Sequence, residues 1–587
     1  MSTSRGFFRL GMIAGLLSAF AGSALALPKI IDKVPADAFV TMVIANPAKF
    51  EKSIKSGMAA MGLPSDQIDI NAMLSMMNLV DAVNVDNPIV AYMPVPKMDG
   101  GDGDPSEHGF VFIPVKDYAA FAKAFGGVGT ADSEKLEVNG DTMYVKNIGD
   151  GYAALMKNEA DSKAFAVKPG MLPGHRKLIS SLADKVADAS DMMLLVNVDL
   201  GREHIRQGVT MMKAQMQQQM AAMGQDASNM ATSMYVVDAF VDQARSLVLG
   251  LKLTEGAVMA DAVATFIADQ PLGKVSATGG NSGALLAKLP DRDFLVAGAT
   301  DFTNSAWKDF FAKMPLPTVP GAEKGAAMFD MTEAMKSATG GSFLVGFNPG
   351  GFSAGFLTQT ITFTAAKDPA AAIEASRAMM AKLEESKLLT KYKFTPDAAE
   401  VGGKKVAEYS MQFADNPEVP QMGQMMIYMF GPYGGPSGYI APVDGGYVTT
   451  FSKSTPLMTA AVDAAGGKNA LSNNAELKKT MAMLPGGRIS ELYLGPKVIV
   501  NSVKPLLQAF ANAKVDYTVP EGTPPFAFAA ATGESSLQGH IHIPFATVKA
   551  MKDFYAAVEE KMHGGEPGED GGEPTERKTP ATPATPK

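Results

Sequence analysis

Methionine is the residue type whose number and spacing first suggest chemistry: 39 of them in 587 residues, against no cysteine and six histidines. Met212, Met216, Met220 and Met223 fall at i, i+4, i+8 and i+11, so a helix presents them as one stripe. Thioether sulfur is a soft ligand, and soft ligands select Cu(I). The same spacing is also what any packed helix face requires, with methionine as adaptable filler. Packing is the reading taken first, and periplasmic Cu(I) binding is an alternative. Gln215, Gln217, Gln218 and Gln219 leave the rest of this helix polar, as expected of an arm lying against another surface.

A second concentration lies in residues 415–443, DNPEVPQMGQMMIYMFGPYGGPSGYIAPV. Met422, Met425, Met426, Tyr428, Met429, Phe430 and Tyr433 crowd together there, followed by Gly-Pro punctuation. An apolar, adaptable loop of this kind is a candidate surface for a protein partner or an apolar ligand. Its competitor is a lid folded back over its own half.

Catalytic patterns are sparse. Ser353 sits in Gly351-Phe352-Ser353-Ala354-Gly355, which matches the G-x-S-x-G of serine hydrolases. That motif needs a sharp strand-to-helix turn, whereas Asn348-Pro349-Gly350 and FLTQTITFT around it read as a hairpin. A hydrolase through Ser353 is kept as the alternative from another class. His540 and His542 alternate along one strand and so share a face, the geometry of a metal pair. No acidic residue stands at ligand spacing from them, and a half-exposed strand face is the simpler reading. Gly279-Gly280-Asn281-Ser282-Gly283 lacks the Lys-Ser/Thr of a phosphate loop and reads as a turn before a helix. Trp307, the only tryptophan, belongs to a helix core with Phe310 and Phe311. No cofactor is expected, and the protein is read as a non-enzymatic binding or structural one.

The elements around these residues repeat. Lys116-Asp117, Asn139-Gly140 and Gly151-Tyr152 recur as Lys367-Asp368, Gly402-Gly403 and Gly446-Tyr447, separated by 251, then 263, then 295 positions. The growing interval places an insertion at residues 415–443. A strand–turn–helix phrase also appears four times, beginning near Ala38, Ser190, Asp291 and Gly487. SLQGHIHIPF from Ser536 echoes SLVLGLKLTE from Ser246, which suggests a repeated closing hairpin. The expectation is an α+β chain of two duplicated halves, residues 27–288 and 289–563. Each is a largely antiparallel sheet packed by helices, and the first carries one long Met/Gln-rich helix, whole or broken, from Leu200 to Ala244.

Composition sets the surroundings. Residues 1–26 have a signal peptide's three parts: Arg5 and Arg9, an apolar stretch from Gly11, and Ala24-Leu25-Ala26 at the cleavage positions. The expectation is export, to the periplasm or to the extracellular side or cell envelope, with no stable membrane anchor after cleavage. The absence of cysteine excludes disulfides and thiolate chemistry. A formal charge of −9 without a basic block makes nucleic acid a poor partner. Residues 564–587, rich in Pro, Gly, Glu and Thr, read as a disordered tail.

The opener VPADAFVTMVIANPAKF and its counterpart LPDRDFLVAGATDF resemble the start of uncharacterised exported proteins abundant in planctomycete-type bacteria, which begin with a Leu-Pro-Ala-Asp phrase. IPVKDYAAFAKAF and GDGYAALMKN are similar to that group as well, while Val34 and Asp291-Arg292 depart from it. The resemblance implies export and a repeated α+β fold over most of residues 34–562. It implies no catalytic residue.

Overall fold

Among the described residues nineteen strands form one sheet, and every pairing in it is antiparallel. The computed structural model describes residues 29–65, 69–76, 79–95, 108–138, 141–165, 177–222, 231–311, 313, 337–348, 355–385, 389–413, 421–432 and 434–563. The first run is β1 (Ala38–Ile44), β2 (Ile89–Pro94), β3 (Phe110–Pro114), β4 (Ser133–Val138), β5 (Asp141–Gly149), β6 (Tyr152–Met156), β7 (Met192–Asn197), β8 (Ala244–Leu253) and β9 (Ala257–Phe266). The second is β10 (Val296–Asp301), β11 (Ala338–Val345), β12 (Thr360–Ala366), β13 (Leu389–Val401) and β14 (Lys404–Phe413). It continues with β15 (Ser437–Val443), β16 (Gly446–Thr450), β17 (Arg488–Leu494), β18 (Phe526–Gly533) and β19 (Ser536–Pro544).

The pairings fix the order. From one edge inward the first run reads β4-β5-β6-β3-β2-β1-β7-β8-β9. The second reads β19-β18-β17-β10-β11-β12-β16-β15-β14-β13 outward to the other edge. Among the described residues, β9 against β19 is the only strand pairing that joins the two runs, with Ser536 opposite Thr265 and Pro544 opposite Ala257. Counted from this centre the two orders correspond step for step, apart from the additional β15. The place of β19 therefore answers that of β9. The sequence echo between Ser536 and Ser246 had matched it to β8, one strand too far out.

Local chemistry explains the strand–turn–helix phrases. Asn46 ends β1 and accepts a hydrogen bond from the Lys49 amide at 2.9 Å, and Pro47 starts the helix Pro47–Ala60. Asp117 caps Tyr118–Ala124 in the same way, accepting from the Ala119 and Ala120 amides. The long Met/Gln-rich helix expected from Leu200 to Ala244 divides into Val198–Ala222 and Ala231–Gln243. These run antiparallel, tied by Lys213 to Asp238 at 2.5 Å and by Arg206 to Asp242 at 2.8 Å. The helix expected before β11 falls outside the described residues.

Helices pack on the sheet over separate cores. One surrounds Tyr92, Phe112, Val186 and Val263; another surrounds Leu286, Phe363, Met458 and Tyr493. Each such large side chain, fully buried, contributes about 1.5–3 kcal/mol. No described helix is long and apolar enough to cross a membrane.

Candidate functional site

The apolar stretch 415–443 is not a loop. Met, Gln and Ile are competent helix formers, and residues Gln421–Phe430 make a helix; the stretch then supplies β15 between β14 and β16. The strand part is sheet core, with Ala441 fully buried and Val443 nearly so. The helix part stays at the surface. Met425 is 49% exposed, and Ile427 and Tyr428 stand out beside it, while Met426, Met429 and Phe430 are half-buried. Phe430 packs against Phe451, and the helix end presses on Gly355, whose φ of +85° admits little but glycine. Met422 lies on the same helix, and Tyr433 falls outside the described residues. The residues are thus divided between a surface and a seat, rather than gathered into a closed lid.

The methionine stripe sits on the helical arm. Met212 is exposed, Met211 is 69% exposed, and Met216 and Met220 are half-buried. Met223 lies outside the described residues, as does Ser353. Trp307 is half-buried in edge contact with Phe310, and it is Phe310 that enters the core. The glycine run at 279–280 is a turn: a Cβ there would strike the backbone of Gly487 and Arg488, and the Gly280 amide donates to the Gly487 carbonyl.

The histidine strand differs most from expectation. His540 and His542 are 5% and 6% exposed, so their face is buried, not half-exposed. An acidic partner also exists, supplied by β9: His540 lies directly opposite Asp261, and its Nδ1 donates to the carboxylate at 2.7 Å. Gln538 donates to the same Asp261 oxygen at 2.6 Å. His540 Nε2, His542 Nδ1 and Gln538 Oε1 are buried without a protein partner. Burial, and secondarily the electrostatic effect of neighbouring His540, lowers the His542 ring to about 4. Among the described residues no three His, Asp or Glu side chains are grouped as they would be to hold a metal ion.

Two strands away on the same face, Glu491 is fully buried and satisfied. It accepts from Ser282 Oγ at 3.0 Å, Arg488 Nε at 3.0 Å and the Tyr493 hydroxyl at 2.7 Å. Burial and the adjoining carboxylate push the Tyr493 phenol far up, so it stays a donor. Small Ala529 lies opposite both Glu491 and His540, which makes a polar row across the centre of the sheet. The described cavities lie elsewhere. One of about 460 Å³ runs between Arg292, Asp293, Lys497 and residues 518–523, with Phe294, Leu477 and Val519 also in its lining.

No family model matches the chain, and no curated protein matches it. Two solved structures, crystal forms III and IV of TP0453, are similar over 40% and 43% of this chain and 78% and 83% of theirs. The identities are 10% and 9% and the TM-score is 0.19 in both, a likeness that carries no argument about fold or function.

Proposed function

We propose that this is an exported envelope protein that acts by binding a protein partner, built from two related α+β halves, with the helix Gln421–Phe430 as the docking surface. The observation that carries the reading is the exposure of Met425, Ile427 and Tyr428 on a helix without a single charged residue. Adjacent exposed apolar side chains are costly to leave in water, and methionine adapts to a facing surface. A convex helix suits another protein better than a small apolar molecule, which needs a concave, apolar-lined site. The matching strand orders support the two-half reading, and the added helix and β15 are what the first run lacks. Export rests on the signal-like residues 1–26.

The test is a photo-crosslinking residue placed at Tyr428, or for comparison at exposed Tyr555, in protein from the native envelope fraction. A single stoichiometric adduct from position 428, lost on Met425→Asp with secondary structure retained, supports the proposal. Equal labelling from both positions, or none from 428, overturns it. The intact mass of the same preparation reports whether the chain begins at Leu27.

A further inference from the structure

The joint between the two strand runs is where buried polar groups outnumber their partners. Alternate residues of β19 on one face are Ser536, Gln538, His540 and His542, opposite Thr265, Val263, Asp261 and Met259 of β9. Asp261 serves both His540 and Gln538 through one oxygen, and the flanking β18 brings only Ala531, Ala529 and Ala527. One of the two imidazoles, His540, holds that carboxylate; the other, His542, one strand repeat away and equally buried, faces Met259 with its Nδ1 unpartnered.

The other charges near this joint are few. From β8 comes Lys252, opposite Met259; the helix Ser181–Ala189, packed over β8, β9 and β19, carries Asp184, Lys185 and Asp188. The helix that follows β19 has Lys549 engaged with Asp553 and Lys552 with the Gly62 carbonyl. Beyond β18, Arg488 and Glu491 neutralise one another.

We infer that the β9–β19 joint is a proton-operated hinge, closed while His542 is neutral and loosened when His542 takes a proton. A proton on His542 places a cation beside His540, with Asp261 already committed and one ring nitrogen without an acceptor. The closed joint can accommodate that charge only by admitting water, and admitting water means parting the strands. The sign is consistent with the lowered basicity of the buried ring. Closed, His542 resists protonation until about pH 4; opened, it regains the ordinary 6.5, so acid favours the open form between those values. No other strand pairing among the described residues joins the runs, so loosening here parts the sheet at its centre while the side-chain contacts around Tyr235 and Phe310 remain as the pivot.

Hydrogen exchange of the full-length protein at pH 7.0 and 4.5, corrected for intrinsic rates, is the test. Amides of β9 and β19 should lose protection about ten- to a hundredfold more than those of β2–β3 and β11–β12. His542→Gln should abolish that excess. Equal loss in joint and reference strands, or an excess that persists in His542→Gln, overturns the hinge. Should the variant fail to fold, NMR titration of the wild-type rings decides. A His542 midpoint below 5 supports the proposal, and one at 6 or above refutes it.

Discussion

Replacing Arg488 by Met tests whether the polar row at the centre of the sheet is held by charge or merely filled. The Glu491 side chain has no exposure, and Arg488 is 17% exposed, so the pair is largely shielded from water. Methionine keeps most of the arginine stem's bulk and removes the cation. The carboxylate retains Ser282 and Tyr493, two neutral donors, but loses its only counter-charge. Removing one member of a buried pair costs about 3–5 kcal/mol; the surviving hydroxyl donors place this case near 3. Urea unfolding followed by tryptophan-independent far-UV circular dichroism measures it. Arg488→Met/Glu491→Leu should recover much of the loss, because removing both charges also removes the desolvation penalty. A single-variant cost below about 1 kcal/mol, or no recovery in the double variant, would refute the reasoning.

Two further outcomes follow from named contacts. A Cβ at Gly438 would lie 1.8 Å from the Thr450 carbonyl oxygen, which is backbone and cannot step aside. Gly438→Ala should therefore cost about 2–3 kcal/mol or displace β15, seen as lost amide protection in β15 and β16. On the arm, Met212→Leu, Met216→Leu and Met220→Leu together should leave Cu(I) content in a competition titration unchanged, because the stripe is read as packing. A loss of stoichiometric copper would instead establish the metal reading.

The parts of the fold that sequence reading reached are those with local causes. All four strand–turn–helix phrases stand where expected, because an apolar run, a turn residue and a helix cap are adjacent in the chain: Ala38–Ile44 with Pro47–Ala60, and Arg488–Leu494 with Pro496–Ala511. Gly-Pro punctuation misdirected the reading of 415–443, where helix propensity and sheet closure prevail. Asp261 was missed for a different reason. It is a lone charge in the apolar strand AVMADAVATF, and its partner His540 is 279 positions away. Nothing local reports a register set between the ends of two runs. Two carboxylates and an imidazole pair became a polar row only when the strand order brought them to one face.

The same long-range pairing bears on how the chain is completed. β9 is finished by Phe266, but its neighbour β19 ends at Pro544, after every other described strand has emerged. Until then β9 is an open edge of apolar, alternating character, the kind of edge that recruits foreign strands. In a chain delivered from its N-terminus, closing the centre of the sheet is the final pairing step. A product truncated before Ser536 would keep most of its strands and still present a bare edge, so the intact centre is in effect a record that the chain has been delivered as far as β19.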